Sequence, residues 1–357
     1  MTTAAACAVA AMTIPAGASV SSGPAAAGVP HGLLPMAASW TTAQNGIVLA
    51  YPSRTTGARP YLLETGNGGK SWQSLPAPPV KYPEDNDQPD AVWSGGVIAV
   101  TDGTHIVASR DSGKHWTAER LTGAPGSAYV AQVAIADGRV FALAESTKSA
   151  TVYSGTAQSG ALRAVPGLTI AGSGNYGDIA VAGALQVDLG NAYTAEKYWY
   201  SMNGTSFTAA PLPCPVTDVA WLGGVRSGQA VAFCSDTPSA IAPGETDAQL
   251  AIAPRLGGKF TASGTRTDIP NFSDFAAASA QAMTAATEAG LTVTTSAGKT
   301  WAAVQTQPNG AFWSDLSFPT ATTGFVVCST VDNSLKEVDT VYRTTNSGKT
   351  WSAVPLP

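Results

Sequence analysis

One eight-residue phrase recurs four times in this 357-residue chain, and it limits the possible folds more than any other feature. It stands at Thr65-Gly-Asn67-Gly-Gly69-Lys-Ser71-Trp72, Ser109-Arg-Asp111-Ser-Gly113-Lys-His115-Trp116, Thr294-Thr-Ser296-Ala-Gly298-Lys-Thr300-Trp301 and Thr344-Thr-Asn346-Ser-Gly348-Lys-Thr350-Trp351. The consensus is Ser/Thr-x-Asp/Asn-x-Gly-x-Ser/Thr-Trp, from which only Ser296 and His115 depart. Each position has a mechanical reason. The side chain of Asn67, Asp111 or Asn346 can accept hydrogen bonds from amides of its own turn, and the glycine takes a backbone conformation other residues avoid. Trp72, Trp116, Trp301 and Trp351 then return to pack on the hairpin or between sheets.

The spacing of the copies sets the size of the repeating unit. The first two begin at Thr65 and Ser109 and the last two at Thr294 and Thr344, intervals within reach of a four-stranded antiparallel unit. The gap from Ser109 to Thr294 divides into four steps of about 46 residues, so three degenerate units are expected there. Candidate turns stand at Tyr153–Val165, Tyr200–Phe207 and Ile252–Phe260. Between them, 37 glycines and 24 prolines punctuate short runs rich in Val, Ala, Thr and aromatics, the texture of many short strands. The alanine-rich stretch Phe275–Ala289 is the most helix-like, but it aligns with strand pairs elsewhere in the repeat and is read as strand. A second recurrence supports the count: Tyr176-Gly-Asp178-Ile, Val216-Thr-Asp218-Val, Phe272-Ser-Asp274-Phe and Trp313-Ser-Asp315-Leu place an aspartate at one offset ahead of the first strand of units four to seven.

The eight-residue phrase resembles the Asp-box, or bacterial neuraminidase repeat, the turn between the third and fourth strands of a propeller blade. The resemblance covers roughly residues 36–357, and phrases such as Asp315 to Gly324 are closer to photosystem II assembly-factor and sortilin-type propellers than to sialidases. It implies an all-β, seven-bladed β-propeller of four-stranded antiparallel blades with Asp-box turns, within the sialidase superfamily fold. Residues 31–357 would form one domain, with first strands lining the channel and boxes on the outer hairpins. The last strand, near Trp351–Pro355, completes its own blade, so closure would rest on side-chain packing.

Residues 1–30 are a different text. From Met1 to Gly28 there is no charged residue, Ala4–Met12 is apolar, and Ala16-Gly17-Ala18 precedes Ser19 as a small-residue cleavage pattern would. The segment reads as a signal peptide without its basic start, or else as a disordered alanine-rich leader. Cys7 sits inside the apolar run, where lipidation is not expected. The protein is therefore expected to be secreted or held in the cell envelope, with no membrane span after signal removal, and monomeric. Net charge is −5 and the 19 basic residues are scattered, so nucleic acid is not an expected partner.

Sialidase chemistry fails residue by residue. No Arg-Ile-Pro occurs, and Arg54, Arg59, Arg226 and Arg255 carry no recognisable motif. The acidic run from Glu84 to Asp90 lies where loops reach a propeller rim and could supply a carboxylate pair or calcium oxygens, but it lacks EF-hand spacing and reads by default as a solvated loop, while His31, His105 and His115 share no metal spacing. No catalytic residues, cofactor or metal are assigned. The leading reading is a non-catalytic binding or assembly propeller for a protein or cell-envelope glycan; the alternative is a diverged secreted glycoside hydrolase, sialidase-like, or a lyase. Its ligand site would be the channel mouth, at Asp178, Asp218, Asp274, Asp315, Trp40, Trp93, Trp313 and Tyr176. Each aspartate there either contributes to an arc of negative charge or simply ties its blade to the next, the second being the simpler reading. Cys214 and Cys234 flank the expected turn at Gly223-Gly224, so they should face each other across the first two strands as a disulfide, leaving Cys328 a free thiol.

Overall fold

The computed structural model describes residues 29–83, 89–172, 175–181, 184–191, 194–215, 218–224, 228–236, 245–270, 272–287, 289–306, 312–331 and 337–357. They form strands and turns only, and no helix among them is long and apolar enough to cross a membrane. The leader expected over residues 1–30 lies almost wholly outside the described residues.

The first sheet is β1 (Leu34–Trp40), β2 (Gly46–Tyr51), β3 (Tyr61–Thr65) and β4 (Gln73–Leu75), each antiparallel to the next. Eight strands follow: β5 (Asp90–Ser94), β6 (Val97–Thr101), β7 (Ile106–Ser109), β8 (Thr117–Thr122), β9 (Tyr129–Ala136), β10 (Arg139–Glu145), β11 (Ser149–Thr156) and β12 (Ala161–Ala171). These make one sheet in the order β5-β6-β7-β8-β12-β11-β10-β9. Then come β13 (Asn175–Val181), β14 (Leu185–Asn191), β15 (Thr194–Ser201) and β16 (Thr208–Ala210), and after them β17 (Asp218–Gly224), β18 (Ala230–Asp236), β19 (Glu245–Ala253) and β20 (Thr261–Pro270). The last two sheets are β21 (Phe272–Ala277), β22 (Met283–Thr287), β23 (Gly290–Thr294), β24 (Ala302–Thr306) and β25 (Phe312–Ser317), β26 (Gly324–Val331), β27 (Glu337–Thr344), β28 (Ser352–Val354).

This is a propeller-like ring of small antiparallel sheets, but not the seven separate blades expected. Five four-stranded sheets stand alone, and the remaining eight strands are one sheet. The cause is local: the outer strand β12 runs parallel to the outer strand β8, pairing Ala161, Leu162 and Arg163 with Arg120, Leu121 and Thr122. Of the stretch 275–289, residues 275–277 and 283–287 are strand, as expected, in β21 and β22 around a turn at 278–282.

Burial follows position in the ring. Second strands are covered on both faces by neighbouring sheets, so β2, β6 and β22 are buried at every residue and read as near-continuous apolar runs. Outer strands such as β4 and β24 are largely exposed.

The four copies of the repeated phrase are turns on the outer hairpins, between β3 and β4, β7 and β8, β23 and β24, and β27 and β28. They share one hydrogen-bond pattern. Thr65 Oγ1 accepts from the amides of Asn67 and Gly69 while Asn67 Oδ1 accepts from Ser71; Ser109–Asp111, Thr294–Ser296 and Thr344–Asn346 repeat the pattern. Ser296 substitutes because its hydroxyl oxygen, like the amide or carboxylate oxygen, accepts at 3.0 Å. Ser112, Ala297 and Ser347, each just before the glycine, have positive φ. Gly298 (φ +80°) is required twice, by its backbone and because a Cβ there would lie 2.9 Å from Leu250 Cδ1 of the preceding sheet. The tryptophans reach outward to neighbours: Trp72 Nε1 donates to Pro355 O, Trp116 Nε1 to Pro76 O, and Trp301 packs edge-on to Phe233, while Trp351 packs edge-on to Phe318 within its own sheet.

The first and last sheets meet without sharing a strand. Trp40 stacks on Phe325 with ring centroids 3.5 Å apart, and Arg343 donates to Gly68 O and Ala43 O at 3.4 Å. Arg54 forks onto both oxygens of Asp339 at 2.9 Å; the Asp339 side chain is fully buried and also accepts from Thr330 N. Side-chain packing closes the ring.

Cys214 and Cys234 form a disulfide with Cα atoms 5.4 Å apart. The pairing matches expectation, but the geometry does not. Cys214 lies ahead of β17, and the residue across from Cys234 is Ala220. Pro213 and Pro215 explain the difference, since residues lacking an N–H on either side keep Cys214 out of the ladder. The bond therefore staples the connection between β16 and β17 onto β18. Cys328 is free and buried, its thiol pushed up to about 12 by burial and by the nearby Asp339 charge.

Candidate functional site

The first strands β1, β5, β9, β13, β17, β21 and β25 stand side by side, and β25 returns to β1. They enclose a funnel of about 820 Å³. At six of the seven junctions described an acceptor side chain takes a backbone N–H across the gap; at the junction of β17 with β21 the Phe275 amide instead donates to Asp274 of its own strand. Ser39 Oγ accepts from Trp93 N (3.0 Å), Asp90 Oδ2 from Val133 N (2.9 Å) and Gln132 Oε1 from Ile179 N (2.8 Å). Gln132 also donates back to Ile179 O at 3.1 Å. Asp178 Oδ2 accepts from Leu222 N (2.6 Å), Asp274 Oδ2 from Leu316 N (2.7 Å), and Asp315 from the Ala38 amide. The tying role is thus visible for three of the four aspartates singled out in the sequence.

The fourth behaves differently. Asp218 is buried, does not line the funnel, and its carboxylate receives the Arg266 guanidinium of β20. Where Asp178 and Asp315 precede the amide their strand donates across the gap, β17 carries Trp221 ahead of Leu222, and Trp221 does line the funnel. The recurrence at one offset therefore breaks here, because the donor on β17 is Leu222, four residues beyond Asp218 rather than one. The aspartates also lie within their strands or at their first residue, not ahead of them.

Trp40 and Trp93 line the funnel. Trp313 does not: it is wholly buried, tilted against Tyr342 at 5.6 Å. Tyr176 also lies outside the lining, its ring against Gly190 of β14. The sequence reading misses Asp90, Gln132, Ser39 and Trp221. Asp90 falls at the end of the acidic run read as a solvated loop, of which residues 84–88 lie outside the described residues. A signal for it is present: Asp90-Ala-Val-Trp93 and Asp218-Val-Ala-Trp221 are the same phrase. Gln132 carries none.

Electrostatically the funnel is one-sided. Among its described lining residues there are four aspartates and no Lys, Arg, His, Glu or Tyr. Burial is the largest cause raising each carboxyl, and it outweighs the amide hydrogen bonds that favour the charged form. Asp90 and Asp178 are pushed up to about 6 and Asp274 to about 7. Asp315 is raised well above the usual range, the charges of Asp90 and Asp274 adding to its burial. Asp315 also has a φ of +53°, a left-handed conformation that aspartate tolerates better than most residues.

Of the arginines considered for a substrate carboxylate, Arg54 is engaged by Asp339, Arg59 and Arg255 are not on the funnel wall, and Arg226 lies outside the described residues. No group of three or more His, Cys, Asp or Glu is arranged to hold a metal among the described residues.

No protein-family model matches the chain, and no curated protein matches it. Solved structures do. YCF48, determined with a bound D1 peptide, is 15% identical and superposes with a TM-score of 0.53, covering 84% of this chain and 90% of its own. A PL25 ulvan lyase, a polysaccharide lyase bound to GlcA(1-4)Rha3S, is 9% identical with a TM-score of 0.53, covering 88% of this chain and 94% of its own. At such identities the likeness is one of fold, and the fold is that of β-propeller proteins.

Proposed function

We propose that this protein is a non-catalytic, extracytoplasmic binding propeller that takes a segment of a protein or glycan ligand into its central funnel. The ring is best counted as seven blades with Asp-box turns. Strands β5–β8 and β9–β12 each give a first strand to the funnel wall, and only the short parallel ladder of β8 and β12 joins them. The shared hydrogen-bond pattern of the outer turns supports the Asp-box reading, and the Cys214–Cys234 bond favours an oxidising compartment.

The observation that carries the proposal is the funnel lining, with Trp93 and Trp221 set among four aspartates and no cation among the described residues. Indole faces suit sugar rings and alkyl-ammonium groups, and the surrounding carboxylates favour hydroxyl-rich or amine-bearing ligands over anionic ones. The half-buried Trp93 has a buried Nε1 with no hydrogen-bond partner, a donor that a ligand oxygen could satisfy. YCF48 holds a peptide and the ulvan lyase a saccharide, so both ligand classes have a precedent on this fold. The test is to pass the protein over neutral-glycan and basic-peptide arrays and repeat any hit with Trp221→Ala. Saturable binding that weakens at least tenfold in that variant, with the hit recovered uncleaved, is expected; binding only to anionic glycans would overturn the reading.

One observation favours a second reading. Asp274, pushed up to about 7, holds a proton near neutrality in the same funnel as other carboxylates, as a glycoside hydrolase acid would. Release of reducing ends from a bound neutral glycan, abolished by Asp274→Asn, would select it.

A further inference from the structure

The links around the funnel do more than hold neighbours together. Four of the acceptors are carboxyls, Asp90, Asp178, Asp274 and Asp315, and all four face the same enclosed space. We propose that this ring is a proton-loaded clasp: it grips tightest when its aspartates are protonated, and the propeller loosens across the funnel as they ionise.

The geometry supplies the reason. A protonated carboxyl keeps an oxygen that can accept the neighbouring strand's N–H, so the link survives protonation. An ionised one makes a stronger individual bond, but it adds charge to a space whose described lining has no basic side chain. Repulsion among four such charges acts on the four carboxyl links, because each of these carboxylates sits at a strand-to-strand gap. The charged and titratable neighbours are few. β1, β9 and β17 bring Ser39, Gln132 and Trp221 to this level. Behind Asp178 lie Asp188 of β14, its partner in register, and Glu145 of β10, which accepts from the Tyr129 hydroxyl and the Gly177 amide. Asp218 is engaged by Arg266. None of these places a cation in the funnel. The four carboxyls are raised, each first by burial, and Asp274 and Asp315 also by other members of the ring.

The folded state therefore holds more protons than the unfolded chain between about pH 4 and pH 7, and stability falls as pH rises through that window and just beyond. Glu119 and Glu145 are raised as well and add to the same trend, so the variant, not the wild type alone, identifies the ring. Thermal unfolding of the full chain should show Tm falling by about 5 °C between pH 5.5 and pH 8. Asp315→Asn is the discriminating substitution, since asparagine keeps an acceptor for Ala38 N and tolerates the positive φ. It should raise Tm at pH 8 and flatten the pH slope. A wild-type Tm that is level or rises over this range, or a slope unchanged in the variant, overturns the proposal. Should the variant fail to fold, infrared titration of a Glu119→Gln/Glu145→Gln double variant decides: a protonated-carboxyl band persisting at pH 6 without those two glutamates supports the clasp, and its absence there refutes it.

Discussion

Replacing Arg54 with methionine tests how the ring closes, because Arg54 is a partner of a fully buried carboxylate at the junction of the first and last sheets. Asp339 has no exposed side-chain surface, and Arg54 donates to both of its oxygens at 2.9 Å while remaining 25% exposed itself. Removing one partner of a buried pair costs about 3–5 kcal/mol, mostly the penalty of stranding the other charge. The partial exposure of Arg54 admits water and screens the pair, so a loss of about 2–3 kcal/mol is expected. Asp339→Asn in the Arg54→Met background removes the buried charge that Arg54 offset and leaves an oxygen for Thr330 N. It should return about half of the loss. Equilibrium urea denaturation at pH 7, followed by tryptophan fluorescence and far-UV circular dichroism, measures all four corners of the cycle. A double variant no more stable than Arg54→Met, or an Arg54→Met loss below about 0.5 kcal/mol, would show that the pair does not carry closure.

Two further outcomes are expected. Replacing Cys214 and Cys234 together by serine opens a loop with a sequence separation of 20 and should cost about 3 kcal/mol, read as a lower urea midpoint; reductant should lower the wild type equally and leave the variant unchanged. Gly298→Ala puts a Cβ 2.9 Å from Leu250 Cδ1 at positive φ and should cost about 1–3 kcal/mol in the same assay, whereas a neutral result would mean that the turn does not set the spacing between its sheet and the preceding one.

The repeated turn is fully legible in the sequence because everything that defines it is local: acceptor, amides and glycine lie within eight residues, and the four copies share one bonding pattern. The three degenerate turns fall between β11 and β12, β15 and β16, and β19 and β20, inside the stretches that spacing and local residues mark. The fusion of β8 to β12 is not, since it depends on two outer edges meeting in space and leaves no periodic mark. In the funnel the same distinction holds. Asp178 and Asp315 precede by one residue the amide that their strand donates across the gap, and Asp274 precedes Phe275, whose amide donates back to it, so a fixed offset finds all three. That rule misplaces Asp218, because β17 enters the wall at a different register and leaves Trp221 at the level of the others. Gln132 does the work of an aspartate without resembling one, and a search for carboxylates passes it by.

Closure by side chains has a mechanical consequence. Val29, at one end of the described chain, packs in the same apolar cluster as Val354 and Leu356 at the other. A pull applied between these two ends would not shear a ladder of strand-to-strand hydrogen bonds, because no strand among the described residues spans the junction. It would instead peel one sheet from another through the Trp40–Phe325 stack, the Trp72 bond to Pro355 and the Arg54 fork, contacts that separate in succession at low force. The ring should open at that seam as a coil with intact sheets, and the force needed should scale with the side chains lining the seam, not with the number of strands in a blade.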